Sequence, residues 1–230
     1  MKKFILFVVA ALVLFLSVEA SAKKSKEEKE NENVIEVTLT DGKVEKGRVT
    51  TYWTYPMKKG YSRTFKIKTD DGRDIKFDVT DIDSLYFPLR TEEQFRTYRP
   101  MLVPRPKIGN KSNVEEWICA VGKRSEHAQL YFPSIWVNYQ ATPTQSRNDL
   151  FTLPSIKFDC DSIAYPFYYY HNGNFNISVI KHWLNKSNPE LYDYLNDYFK
   201  KNKKAKKEIG DRPEIMLEVY EEYLRTKSEQ

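Results

Sequence analysis

Residues 34–53 read VIEVTLTDGKVEKGRVTTYW, and this stretch decides the type of fold. From residue 35 onward, Ile, Val and Leu alternate with polar residues, which is the period of a half-buried β-strand. Asp41-Gly42 follows at once and is a strong signal for a tight hairpin turn. The stretch therefore predicts two antiparallel strands, with the return strand over residues 44–53.

The same arrangement recurs in FKIKTDDGRDIKFDVTDIDSLYFP, which covers residues 65–88. Asp71-Gly72 marks a second hairpin turn, and alternating apolar residues predict a strand on each side of it. Residues 82–85 offer one further short strand. Five short strands within 55 residues, bounded by turns, predict a small, closed β-barrel over residues 34–88.

The opening hairpin resembles that of SH3-like and Sm-like small barrels in its segment VTLTDG at residues 37–42, followed by Gly47 and Val49. In such barrels the second glycine lets a strand bend sharply, and the resemblance implies this role for Gly47. Sm-like proteins bind RNA through an Asp and Asn motif after the second strand, whereas residues 50–58 contain neither residue type. The resemblance therefore implies a fold and does not extend to RNA binding.

The amino terminus has the three parts of a secretory signal peptide. Lys2 and Lys3 precede a largely apolar run over residues 4–18, and Ala20-Ser21-Ala22 is a small-residue cleavage signal. The run is shorter than the ~20 apolar residues of a transmembrane helix. We expect export to the periplasm or beyond and no membrane-spanning segment after cleavage; an uncleaved membrane anchor is the alternative.

The rest of the chain divides by composition. Residues 23–33 are almost all charged or polar, which predicts a disordered leader. Residues 89–113 contain a capping-box pattern for one short helix and then three closely spaced prolines, which predicts a linker or an extended edge. Residues 114–180 resume the β pattern. We expect a second antiparallel β unit there.

The carboxyl-terminal segment, residues 181–230, predicts helices. Asn188 before Pro189 is a strong helix start, and apolar residues recur at helical spacing in two stretches. The predicted fold class is thus α+β, mostly β: a small SH3-like barrel, a second β unit and a helical pair. This layout resembles exported proteins of Gram-negative bacteria whose function is unknown.

Two segments of the β units are similar to each other. Residues 81–88 and 159–166 share the pattern Asp-x-Asp-Ser, an aliphatic residue and a final Pro, and residues 114–123 align with 34–43. Either the two units arose by duplication, or two β segments are alike by chance. The sequence leaves both explanations open.

No motif identifies catalytic, cofactor-binding or metal-binding residues, and we predict none. The three histidines have no helical metal-site spacing, and we expect surface or hydrogen-bonded roles for them. The serine–lysine pattern at residues 178–181 lacks the companion motif of serine acyl-enzymes. Cys119 and Cys160 are candidates for a disulfide in an oxidising compartment, with two inert thiols as the alternative.

Two surface features remain as candidate binding sites. Aromatic residues make up 14% of the chain and could stack on sugars or grip a peptide; the candidate aromatic surface comprises Tyr52, Trp53, Tyr55, Trp136, Tyr139 and Tyr168. Six lysines within residues 200–207 form a basic run, without which the chain, at +5 overall, would be slightly acidic. The candidate contacts for an anionic surface are Lys200, Lys201, Lys203, Lys204, Lys206 and Lys207.

These features predict an exported, non-enzymatic envelope protein whose β module binds an envelope polymer or a partner protein. A periplasmic hydrolase that acts on envelope material is one alternative. A factor that associates with a membrane surface through the lysine run is the other. Because the basic charge is local, and not spread over a docking face, nucleic acid is disfavoured as a partner.

Signal cleavage after Ala22 is directly testable. Protein recovered from the envelope fraction should begin at Lys23, because the small side chains of Ala20 and Ala22 fit the A-x-A cleavage pattern. Amino-terminal sequencing measures this. Replacing Ala20 and Ala22 by bulky Leu should leave unprocessed precursor, and recovery of wild-type protein that still begins at Met1 would contradict the prediction.

Overall fold

A computed structural model describes residues 33–50, 65–90, 92–93, 96–104, 114–142, 145–167, 180, 184–185 and 187–229, with backbone only at 135–142 and 145–151. Twelve strands are present in this part of the chain, followed by helices. Ten strands form one antiparallel sheet in the order β12-β11-β8-β7-β6-β5-β1-β2-β3-β4, and β9 and β10 pair with each other. The fold is therefore mostly β with a helical carboxyl-terminal part.

The first five strands follow the two predicted hairpins. They are β1 (Val34–Leu39), β2 (Val44–Val49), β3 (Phe65–Lys68), β4 (Asp74–Phe77) and β5 (Ile82–Tyr86). Both Asp-Gly turns have their glycine at φ +85°, a conformation that favours residues without a Cβ. A short 3-10 turn (Val79–Asp81) then leads into β5, which returns to pair with β1. The predicted hairpins are confirmed, although β2 ends at Val49 and residues 51–64 lie outside the description.

The second half continues the same sheet through β6 (Thr97–Pro104). This strand pairs with β5 at two positions only and then with β7 (Val114–Arg124) at seven. Residues 97–104, predicted as linker or extended edge, are thus a strand inside the sheet. Pro100 and Pro104 are tolerated because they lie beyond the two positions that pair with β5 and outside the single bridge that Leu102 makes to Ile163.

The strands β8 (Ala128–Phe132) and β11 (Ser155–Phe158) form the base of a long hairpin. Its outer part consists of β9 (Ser134–Thr142) and β10 (Gln145–Thr152). The base and the outer part share one register, and between them the N–H of Leu153 donates to the carbonyl of Pro133 at 2.9 Å. The hairpin is therefore continuous from β8 to β11, and its outer half extends beyond the ten-stranded sheet as a two-stranded ribbon.

The last strand, β12 (Ala164–Pro166), pairs with β11 and also reaches back to β6 through a parallel bridge between Leu102 and Ile163. A small apolar cluster lies on this curled part of the sheet: Val103, Trp117, Cys119, Tyr131, Leu153 and Ala164. The similar segments 81–88 and 159–166 both lead into a short strand. Their neighbours differ, because β5 pairs with β1 whereas β12 pairs with β11.

Three helices have both of their ends among the described residues: α1 (Pro189–Lys201), α2 (Lys203–Glu208) and α3 (Ile215–Ser228); residues 180, 184–185 and 187 are also helical. The predicted helix start is confirmed, since the side chain of Asn188 accepts the N–H of Leu191 at 3.1 Å with Pro at the first helical position. The apolar faces of α1 and α3 join buried residues of both halves of the sheet in one continuous core. Residues 168–179, at the end of the predicted second β unit, lie outside the described residues.

Gly47 allows β3 to approach β2 closely. A Cβ at this position would lie 2.5 Å from the backbone carbonyl oxygen of Lys68, which cannot move aside as a side chain would. We therefore expect Gly47→Ala to lower the free energy of unfolding by about 1–3 kcal/mol, and Gly47→Val by at least as much. Urea denaturation followed by circular dichroism measures the change.

The matched control is Lys76→Ala, because this exposed residue lies on the neighbouring strand β4. Its effect should stay within about 0.5 kcal/mol. Equal stability of the Gly47→Ala variant and the wild-type chain would show that the strands do not need this close approach.

Candidate functional site

The connection between β7 and β8 meets helix α3 and the turn after β11 at one corner of the molecule. Helix α3 is seated there by aromatic packing, with the ring centroids of Phe158 and Tyr220 4.4 Å apart. The N–H of Asp159 donates to the carbonyl of His127 at 3.0 Å, which ties the turn to the connection. Chemically active side chains from three distant parts of the chain are thereby brought together.

His127 and Glu221 form the centre of this corner. The backbone N–H of His127 donates to Oε1 of Glu221 at 2.9 Å, and the ring Nδ1 lies 2.8 Å from Oε2. The side chains are 48% and 21% exposed. The carboxylate hydrogen bond raises the pKa of His127, although desolvation acts in the opposite sense. Burial acts to raise the pKa of Glu221, but hydrogen bonds from Ser125 and His127 outweigh it and lower that pKa.

Glu126 is the third member of the corner. Its Oε1 lies 3.9 Å from Nε2 of His127, and its side chain is 82% exposed. One donor atom from each of Glu126, His127 and Glu221 can be chosen so that all three lie within 4.8 Å of one another. An imidazole and two carboxylates are ligand types that bind divalent transition metals.

The sequence prediction assigned no catalytic or metal-binding role to these three residues. Its expectation of a hydrogen-bonded histidine holds for His127. Glu126 and His127 are adjacent in the chain, but Glu221 follows 94 residues later on another element. No spacing pattern in the sequence could join it to them.

An open cleft of about 780 Å³ adjoins the same connection. Two ion pairs border it: Lys123 Nζ lies 2.8 Å from Oε1 of Glu214, and Arg124 Nη2 lies 2.6 Å from Oδ2 of Asp159. Burial acts to raise the pKa of Glu214, but the hydrogen bond from Lys123, a backbone hydrogen bond and the positive charges of Lys123 and Arg212 together outweigh it and lower that pKa. The residues that line the cleft are Glu92, Glu93, Thr97, Arg99, Val121, Gly122, Lys123, Arg124, Gln129 and Glu214. The cleft therefore offers charges of both signs to a ligand.

Both cysteines are free thiols in the structure, and no bridge joins them. Cys119 is completely buried in β7, and desolvation raises its pKa well above the usual value. Cys160 is exposed in the turn after β11. Burial, together with the charge and hydrogen bond of Cys160, raises the pKa of the Tyr220 hydroxyl. The two thiols thus have opposite surroundings.

The candidate aromatic surface falls mainly outside the part of the chain that is described. This is so for Tyr52, Trp53, Tyr55 and Tyr168. Trp136 and Tyr139 lie on β9, where their backbones are in register with Leu150 and Arg147 of β10. Two of the six predicted aromatic positions therefore lie on the projecting ribbon.

The lysine run lies at the end of α1 and in α2, and all six of its lysines are exposed. Lys201 pairs with Asp197 at 2.5 Å, and Lys204 lies 3.7 Å from a carboxylate oxygen of Glu208. Helix α2 buries none of its residues. The run therefore presents charge to solvent without a buried apolar side of its own helix.

Comparisons of the chain with protein-family models, with characterised proteins and with solved structures find no match. None of the helices in the described ranges is long and apolar enough to cross a membrane.

The cysteine environments predict a clear difference in thiol labelling. In the native, unreduced chain a maleimide should modify Cys160 and leave Cys119 unmodified, because the first thiol is exposed and the second is buried. After unfolding in urea both thiols should react. Mass spectrometry of the labelled protein measures this.

The Cys160→Ser variant is the control and should take up no label in the native state. If neither thiol of the wild-type chain reacts after unfolding until a reductant is added, the two cysteines are bridged and the prediction is wrong.

Proposed function

We propose that this chain is an exported, non-enzymatic envelope protein that binds a partner protein or an envelope polymer. The β9–β10 ribbon, the outer part of the long hairpin, carries the proposal. Within the described residues, β9 and β10 pair only with each other. Strands that are left without further strand partners can serve as a contact surface. The apolar, signal-like segment at residues 4–18 supports a location outside the cytoplasm.

A two-stranded ribbon is at best marginally stable by itself in water. Each of its outer edges also carries backbone N–H and C=O groups that can pair with an added strand. A protein that offers an extended segment would satisfy these groups by strand addition, a recurrent mode of peptide recognition. This favours a protein over a polymer as the bound partner.

The base of the hairpin is anchored in the core and fixes the position from which the ribbon extends. Leu130 of β8 is 1% exposed and Ile156 of β11 is fully buried, and the two residues are in register in the core. The register of the base continues through β9 and β10 up to a shift between Gln145 and Ser146, so the base sets the position of most of the ribbon. A rigid base that presents a contact element lowers the entropy lost on binding.

We further propose that residues 34–88 adopt an SH3-like barrel that supports this module. The consecutive order β5-β1-β2-β3-β4, in which the last strand of the segment returns to the first, favours it. So does the requirement for glycine at residue 47, where the two strands approach closely. In this proposal the barrel is a scaffold, and RNA is not its ligand.

Shortening the ribbon tests the proposed function. The N–H of Leu153 donates to Pro133, so this pair is hydrogen-bonded, and by alternation the pair Ile135–Phe151 is hydrogen-bonded too. Replacing residues 136–150 by Asn-Gly should therefore close a two-residue hairpin at that pair. We expect an unchanged melting temperature, because the base of the hairpin stays in the core, and a loss of partner binding.

Binding is measured with a photo-crosslinking amino acid at Asn138 in cells that export the chain, followed by identification of the adduct. The matched control carries the same amino acid at Val44, an exposed position on β2 far along the sheet. A specific adduct at Asn138 and none at Val44 supports the proposal. Equal envelope association of the shortened and wild-type chains would refute a binding role for the ribbon.

A further inference from the structure

The geometry points to a zinc site formed by Glu126, His127 and Glu221. The inference is independent of the ribbon and of any partner. Its three ligands come from the β7–β8 connection and from α3, so a bound ion would link the carboxyl-terminal helix to the sheet. In the structure Glu221 accepts hydrogen bonds from His127 and Ser125, and Glu126 Oε1 lies 3.9 Å from Nε2 of His127.

The donor atoms are already close to the spacing that a metal needs. They lie within 4.8 Å of one another, and two ligands of a tetrahedral zinc ion are about 3.4 Å apart, since each bond is about 2.0–2.2 Å long. The widest pair of donor atoms therefore needs to close by at most about 1.4 Å. Glu126 can supply that movement, because its side chain is 82% exposed.

The two oxygens of Glu221 have separate environments. Oε1 accepts the backbone N–H of His127, which fixes the carboxylate in one orientation. Oε2 faces the ring Nδ1 at 2.8 Å. Zinc at this place would replace the ring proton, and Nδ1 and Oε2 would move apart by roughly 0.6 Å to hold a tetrahedral ion. A ligand oriented by a backbone donor is the kind of support that metal sites use.

The charge and the donor types select the ion. Two carboxylates and one neutral imidazole give a net charge of about −2, which a divalent cation neutralises. Ca²⁺ and Mg²⁺ prefer sites made of oxygen atoms, whereas an imidazole favours zinc and related transition metals. Three protein ligands at an exposed corner leave the fourth position of zinc to water.

The competing explanation is a simple ion pair between His127 and Glu221. An exposed pair of this kind stabilises a protein only slightly and makes no use of Glu126. The two explanations differ in their response to metal. An ion pair contributes in the absence of zinc, whereas a zinc site binds one ion and raises the melting temperature only when the ion is present.

The experiment uses the full exported chain without an affinity tag, in a Cys160→Ser background that removes the exposed thiol as a competing ligand. Zinc sulfate is titrated by calorimetry and by thermal denaturation, with magnesium chloride as the comparison salt. We expect one equivalent of zinc to bind, with a rise in melting temperature that magnesium does not produce. Cobalt(II) should give the visible absorption of a tetrahedral site.

The ligand variants are His127→Gln, Glu221→Gln and Glu126→Gln, and the matched control is Glu222→Gln, the neighbouring exposed carboxylate on α3. Each ligand variant should bind zinc at least about tenfold more weakly, and the control should bind as the parent does. Glu126→Gln keeps the contact between His127 and Glu221 and so separates metal binding from folding.

Three outcomes would overturn the inference: no stoichiometric zinc binding by the parent chain, binding that survives in the His127→Gln variant, or equal binding by the Glu126→Gln variant. A lower melting temperature of the His127→Gln variant with no response to zinc in either chain would establish the ion pair as the whole role of this corner.

Discussion

The seating of α3 on the β-sheet is the contact on which the rest of this structure depends. Phe158 of β11 and Tyr220 of α3 lie with their ring centroids 4.4 Å apart, and both are nearly inaccessible to solvent. Aromatic side chains bury large areas, so this contact offers much of the driving force for docking. If it were lost, Glu221 would separate from His127, and Glu214 would separate from Lys123. The corner of Glu126, His127 and Glu221 therefore exists only in the docked state.

The polar contacts around α3 set its position more than its stability. Lys123 and Arg124 at the end of β7 form ion pairs with Glu214 and Asp159, and His127 contacts Glu221 through both its backbone N–H and its ring Nδ1. Most of these groups are partly exposed, where ion pairs contribute little net free energy. They do have strict geometric requirements. Apolar packing thus holds helix α3 against the sheet, and the charged contacts determine its orientation there.

The long hairpin shows how one sequence segment can serve two environments. Its base supplies buried residues to the core, and its outer half continues in the same register beyond the ten-stranded sheet. A strand that leaves the core keeps its backbone pairing but loses the apolar packing that stabilises a sheet. The ribbon and the His127 corner lie on separate elements, so a partner on one and an ion on the other would not compete for the same residues.

Local signals in the sequence determined the two Asp-Gly hairpins, the start of α1 at Asn188-Pro189 and the mostly β composition of the fold. These features are readable because turns, helix caps and the alternation of apolar and polar residues depend only on neighbours in the chain. Residues 97–104 were predicted as a linker or an extended edge, since prolines exclude a central strand, and in the structure they form β6, whose short pairing with β5 is compatible with proline. The corner of Glu126, His127 and Glu221 was not predictable, because docking of α3 across 94 residues decides it. Only the tertiary structure joins those ligands: packing is specified by shape and burial over the whole core, and no local spacing encodes it.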